Sequence, residues 1–256
     1  MKGETRSKIL GLLVFVILIS WILYLSFSSE RNEPGGKIKS ISVTGNNLLN
    51  ENDYLAFARL NNGGLQNITL PVIKSRLEKH PYIKRADVEF SGDNQVHIKL
   101  NEKNIKAVLA GSNRLFLATD EFEILSFITD TKISDVPVVT NLSNDILIKN
   151  NEILKTPGLV DAFKIIDAED LTNEELSRKM SEINLREGGD IILLFSGIKP
   201  PVILGKGGII RKICSLNQLW DGEDSNKEMV MNSSYIDLRF NNEIFLGNYD
   251  KTGLTE

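Results

Sequence analysis

The 256-residue sequence has one cysteine, Cys214, and only two histidines, His80 and His97. A single cysteine excludes an intramolecular disulfide, so the folded state must be stabilised by packing. A zinc site is not indicated either, because neither histidine has a second histidine three or four residues away and no cysteine pair exists. We interpret Cys214 as a small buried residue and both histidines as structural or solvated.

The sequence also lacks the motifs of nucleotide-binding proteins and hydrolases. The segment 205–208 (Gly-Lys-Gly-Gly) does not have the spacing of a phosphate-binding loop, and Ile210 stands where a dinucleotide fingerprint needs its third glycine. A tight strand-to-helix turn explains this segment better. No G-x-S-x-G elbow is present, and the carboxylates are scattered along polar faces. The sequence therefore predicts no enzymatic activity, no cofactor and no metal, although a carboxylate pair distant in sequence could still form on folding.

An excess of basic residues is absent as well. The formal net charge is −4 and the isoelectric point is near 5.4. A net negative charge makes nucleic acid an unfavourable partner. Nothing in the sequence points to a small-molecule substrate.

What the sequence does contain is a long apolar run. Residues 9–29 carry no charge, and as a helix they would span roughly 30 Å, about one hydrocarbon core. The preceding tail, 1–8, contains Lys2, Arg6 and Lys8, which favour a cytoplasmic N-terminus. We therefore expect a single transmembrane anchor in the inner membrane, with the rest of the chain on the extracytoplasmic side.

A cleaved signal peptide is the alternative to this anchor. The run is longer than an ordinary signal core, and its only suitably spaced small residues are Ser26 and Ser28, which favours a retained anchor. Arg31, Lys37 and Lys39 beyond the run leave the orientation less well defined.

A linker (30–37) precedes the first globular segment, 38–106. Its hydrophobic pattern changes from helical to alternating, which predicts the order β-α-α-β-β with one covered sheet face. The predicted elements are a strand at 38–43, a helix at 51–60, a helix that begins after Thr69 and stops at His80-Pro81, and strands around 86–90 and 96–100.

The second segment, 107–250, is rich in short strands and is followed by a tail, 251–256. We expect a larger mixed β-sheet with flanking helices, so the chain as a whole belongs to the α+β class. The predicted strands are 107–110, 115–118, 124–127, 136–139, 183–185, 191–195, 202–205, 235–240 and 243–247, and the predicted helices are 159–167, 173–180 and 209–220.

Several short motifs resemble the FtsQ/DivIB family of bacterial cell-division proteins, whose order of parts is a short tail, one membrane helix, a POTRA domain and a second β-rich domain. Two departures are Tyr82, where the family usually has Trp, and Lys103 with Ile105 in place of the common Arg and Pro. The matching motifs are Val43-Thr44-Gly45-Asn46, His80-Pro81-Tyr82-Ile83, Ala86-Asp87-Val88, 94–102, Ile203-Leu204-Gly205 and Tyr235-Ile236-Asp237-Leu238-Arg239-Phe240.

The resemblance implies a membrane scaffold of the division septum. Its C-terminal domain would bind FtsB- and FtsL-type proteins by β-strand addition, and its POTRA domain would contact other septal proteins. By position, the partner-binding residues would be Phe240, Asn242, Glu243, Ile244, Phe245, Leu246, Gly247 and Asn248.

Alternatives remain open at this stage. The last strand is equally explained as an internal hairpin strand whose apolar residues pack on the sheet. A POTRA-containing envelope protein for polypeptide transport or assembly is a second functional hypothesis, although the sequence shows neither a second copy of the module nor barrel strands. A membrane-anchored envelope hydrolase is a third.

Overall fold

The protein is described from a computed structural model, in which the chain divides into two units. The first unit comprises Met1–Thr44, Glu51–His80 and Ala86–Leu100, and the second comprises Gly45–Asn50, Pro81–Arg85 and Asn101–Glu256. The structure describes residues 15–24, 38–61, 68–91, 94–111, 113–142, 152–186, 189–240 and 243–248.

Of the segment predicted to span a membrane, residues 15–24 form a helix, α1. The remainder of 9–29, the tail 1–8 and the linker 30–37 lie outside the described residues. Within the described ranges, no helix is both long enough and apolar enough to cross a bilayer.

The first unit contains the predicted β-α-α-β-β order. Its three strands form one sheet in the order β1-β3-β2, with β1 parallel to β3 and Val43 opposite Ile98. The parallel pairing is possible because the two helices cross between the strands. The elements are β1 (Ser40–Thr44), α2 (Glu51–Phe57), α3 (Leu70–Leu77), β2 (Ile83–Phe90) and β3 (Gln95–Glu102), of which the ends of β2 and β3 belong to the second unit.

Apolar side chains of α2 and α3 form the core of this unit. Ile73 and Leu77, at i and i+4 of α3, are fully buried, as is Tyr54 of α2. His80 was interpreted as the end of a helix and as structural or solvated. In the structure its ring is buried between those of Tyr54 and Phe57, with centroids 4.8 and 4.7 Å away.

The second unit is a nine-stranded mixed sheet with helices packed against it. Its strand order is β12-β11-β10-β9-β8-β7-β4-β5-β6, in which β4/β7, β7/β8 and β10/β11 are the parallel pairs. Its elements are β4 (Ile105–Ala110), β5 (Leu115–Thr119), β6 (Ile124–Ser126), β7 (Val138–Thr140), α4 (Pro157–Thr172), α5 (Glu174–Lys179), β8 (Met180–Asn184), β9 (Ile191–Phe195), β10 (Ile198–Gly205), α6 (Ile209–Trp220), α7 (Asp224–Met231), β11 (Ser233–Asp237) and β12 (Phe245–Asn248).

One hydrophobic cluster joins the sheet to α4 and α6. Leu159 and Ile165 of α4 and Ile213 of α6 are fully buried in it, together with Leu193 and Leu204 of the central strands. The two helices also pack against each other. The cluster therefore packs both α4 and α6 against the sheet.

The structure departs from the local predictions for this unit at four points. The strand predicted at 235–240 ends at Asp237, and α7 was not predicted at all. The carboxylates were expected on polar faces, but Glu169 of α4 is fully buried. Cys214, expected to be buried, is half-buried.

Candidate functional site

The candidate site is the last strand of the large sheet, β12. It pairs in antiparallel fashion with β11, with Asp237 opposite Phe245 and Ile236 opposite Leu246. No other strand in the described part of the chain lies on its outer side. The outer N–H and C=O groups of β12 are therefore available to a further strand.

The side chains of this strand alternate between the core and solvent. Leu246 and the preceding Ile244 pack against the hydrophobic cluster. Phe245 points the other way and is 47% exposed, and Phe240, in the bend after β11, is 52% exposed. Their rings meet edge to face, with centroids 4.9 Å apart. The edge thus carries an exposed aromatic pair, Phe240 and Phe245.

Gly247 is buried beneath a third aromatic residue. A Cβ atom at this position would lie 2.4 Å from Cε1 of Tyr235 and 2.5 Å from Oγ of Ser234. Glycine therefore allows the Tyr235 ring, 41% exposed, to lie directly over the β12 backbone.

A groove of about 410 Å³ adjoins the edge strand. One wall is α6, through Ser215, Gln218 and Leu219, and the opposite wall includes Phe240 and Ile244. Arg211 and Lys212 line it as well, whereas Glu243 supplies a carboxylate. The groove therefore combines apolar side chains with charges of both signs.

The Asp237-Leu238-Arg239 motif sets the position of Phe240. The Arg239 guanidinium donates to both carboxylate oxygens of Asp237, at 2.7–3.0 Å, and to Oδ2 of Asp190 at 3.0 Å. These hydrogen bonds hold the pKa of Asp237 below its usual range. The backbone N–H of Arg239 donates to Oδ1 of Asp237 at 2.9 Å, so it does not pair with a neighbouring strand and β11 ends at Asp237.

Gly205 makes room for this arginine. Its φ is +69°, and a Cβ atom there would lie 2.6 Å from Cγ of Arg239. The tight strand-to-helix turn predicted for 205–208 is confirmed, since Gly207 and Gly208 also have positive φ and Gly208 is the N-cap of α6. Lys212 closes the turn by donating from Nζ to the carbonyl oxygens of Leu204 and Lys206, at 2.8 and 3.1 Å.

The structure brings most of the predicted partner-binding residues to one edge. Phe240, Glu243 and Phe245 are exposed there, and Asn248 ends the strand. Asn242 lies outside the described residues. The groove residues on α6 were not predicted, although their signal was present: Ser215 and Gln218 lie on the polar side of an amphipathic helix whose apolar side is buried.

In the described ranges, no group of three or more His, Cys, Asp or Glu side chains is placed to hold a metal ion.

The β-α-α-β-β order and the sheet β1-β3-β2 of the first unit define a POTRA-type domain. Residues 36–103 match the family model described as POTRA domain, FtsQ-type. This match confirms the resemblance for residues 36–103, and it supports a POTRA-containing cell-division protein of the FtsQ/DivIB type. A comparison with curated proteins gives no match.

Proposed function

We propose that the protein is a bitopic membrane scaffold of the bacterial divisome that recruits FtsB- and FtsL-type partners at the septum. The segment 9–29 would anchor it in the inner membrane with a cytoplasmic N-terminus, and both units would lie on the extracytoplasmic side. The FtsQ-type POTRA domain supports a role in division through protein–protein contacts. In this proposal the chain acts by binding and catalyses no reaction.

The observation that carries the proposal is that no described strand pairs with the outer side of β12. A partner segment could add as a tenth strand, taking its affinity from backbone hydrogen bonds. Phe240 and Phe245 would then supply side-chain contacts, because exposed aromatic rings give large contact area at low entropic cost. Anchoring both partners in one membrane raises their effective concentration, so a modest interface suffices.

The test replaces Phe245 with Asp in the full chain. A charge at this position opposes an apolar contact, and we expect affinity for the purified extracytoplasmic segment of the FtsB-type protein to fall by about tenfold or more. Phe127→Asp is the matched control, since Phe127 is also exposed but follows β6 at the other end of the sheet. Unchanged affinity in Phe245→Asp, with the fold confirmed by circular dichroism, would contradict the assigned edge.

The backbone part of the proposal needs its own measurement. Strand addition should slow hydrogen exchange at the β12 amides when the partner segment binds, and Leu246→Pro, which removes one donor, should weaken binding if that N–H pairs across the chains. Binding without any slowing of exchange in β12 would exclude strand addition.

A further inference from the structure

A fully buried carboxyl group lies where α4 meets α6. Glu169 is 0% exposed and follows the buried Ile165 and Ile166 by four and three residues, so it continues the apolar stripe of α4. Neither of its carboxyl oxygens has a hydrogen-bond partner among the described residues. Such a group is costly to bury in its charged form.

On α6, the side chain of Asn217 adjoins Glu169 and is also buried. Its Nδ2 donates to Oγ1 of Thr172 at 2.6 Å, which leaves Oδ1 without a partner. An ionised Glu169 would add only acceptors to this contact. A protonated Glu169 could donate as well as accept, and its burial away from water favours this neutral form.

The neighbouring carboxylates also favour the neutral form of Glu169, and the nearby ammonium groups contact another side chain. Asp170 on α4 and Asp221 at the end of α6 are carboxylates that disfavour a second negative charge. From α5 and α7, the ammonium groups of Lys179 and Lys227 approach the Trp220 ring, at 5.5 and 5.9 Å from its centroid. Burial therefore raises the pKa of Glu169 from its ordinary 4.5 to about 7, against the smaller opposing effect of Asn217.

The same helix forms one wall of the groove beside β12. Asn217 faces Glu169, whereas Ser215, Gln218 and Leu219 line the groove. A change in the packing of α6 against α4 would therefore move residues that line the groove.

We propose that Glu169 is a proton-responsive support of α6, whose ionisation loosens this helix and weakens docking in the groove. The docking step rests on the proposed function, but the response of the helix does not. The group responds near neutral pH, a range in which the surroundings of a cell vary.

The sign of the effect follows from the raised pKa. The contribution of Glu169 to stability is fully present below about pH 4.5, where the carboxyl group is neutral in the folded and the unfolded state. This contribution is lost as the pH rises through about 7, because between these two values the group ionises freely only in the unfolded or open state. If opening of α6 exposes Glu169 to water, these two values make opening about tenfold more favourable at pH 8 than at pH 6.

Hydrogen exchange of the α6 amides in the full chain tests the first step. After correction for the intrinsic pH dependence, we expect protection to fall about tenfold from pH 6 to pH 8 in the natural protein and to stay constant in Glu169→Gln. Glu169→Leu serves the same purpose should the first variant fold poorly. Asp170→Asn is the control: it keeps the transition but shifts it to lower pH, because Asp170 raises the pKa of Glu169.

A constant protection in the natural protein, or a tenfold change that persists in Glu169→Gln and Glu169→Leu, overturns the role of Glu169. Affinity for the extracytoplasmic segment of the FtsB-type protein, measured at the same two pH values, tests the second step. It should fall at pH 8 in the natural protein but not in Glu169→Gln. Equal affinities in the natural protein overturn the coupling, whereas absence of binding at both pH values overturns the proposed function and leaves the exchange result standing.

Discussion

Replacement of Tyr82 by Phe should destabilise the second unit by removing one oxygen atom. Tyr82 is fully buried, and its hydroxyl accepts the N–H of Ile128 at 2.9 Å. The same oxygen lies 2.9 Å from the carbonyl oxygen of Ser126 and 3.0 Å from Oγ1 of Thr131. Phe keeps the ring packed but leaves the partly buried N–H of Ile128 and C=O of Ser126 without this partner.

Each buried group left unpaired costs about 1–3 kcal/mol, so the loss of the Ile128 and Ser126 contacts should lower the free energy of unfolding by about 3 kcal/mol. In a unit of this size that corresponds to a drop in Tm of roughly 6–12 °C. Urea titration and calorimetry measure both quantities. The control is Tyr235→Phe at an exposed ring, which should change stability by less than about 0.5 kcal/mol. A loss in Tyr82→Phe no larger than in this control would refute the reasoning.

Two further changes test the structure of the edge. Gly247→Ala should displace the Tyr235 ring and lower the free energy of unfolding by about 1 kcal/mol. In a double-mutant cycle, Tyr235→Ser should restore the stability of this variant. Additive losses would contradict the contact between Gly247 and the Tyr235 ring. Asp237→Asn should lower stability by about 1 kcal/mol at pH 7, since its Arg239 partner is partly exposed. Because the pKa of Asp237 is lowered, its contribution to stability is present above about pH 3.8 and is lost in acid. The difference in stability between the natural protein and Asp237→Asn should therefore vanish on acidification. A difference that is independent of pH in urea titrations would be evidence against the pair.

The sequence predicted elements well where one periodic signal dominated. The bounds of α6 are those expected, because Ile209, Ile213 and Leu216 form a single stripe that the sheet buries. β11 was predicted to run on to Phe240 because its alternation continues, but strands end where hydrogen bonding ends. Here the backbone N–H of Arg239 donates to the Asp237 carboxylate instead of to a neighbouring strand, which the alternation of side chains does not show.

The burial of the ionisable residue Glu169 was harder to predict from the sequence. Glu169 stands at the position where the stripe of α4 calls for an apolar residue, so its spacing was a signal, but its chemistry argued for solvent. Only the packing of α6 against α4 decides between the two, and that packing depends on residues far apart in sequence. α7 was missed for a related reason, since its polar composition gives little periodicity and Val230 alone is deeply buried.

The two ends of the large sheet are treated differently by their own chain. At β6, the N–H of Ile124 donates to the carbonyl oxygen of Glu152 at 3.0 Å, and that of Leu154 donates to Phe122 at 2.9 Å, so an outer segment covers this edge. At β12 no described strand does so, and the strand carries neither a lysine nor a proline that would discourage pairing. An edge that is left uncovered and flanked by exposed aromatic rings is a hazard to a protein on its own. Such an edge is best explained if a partner strand covers it, which is why the outer side of β12, more than any side chain, supports the proposed scaffold function.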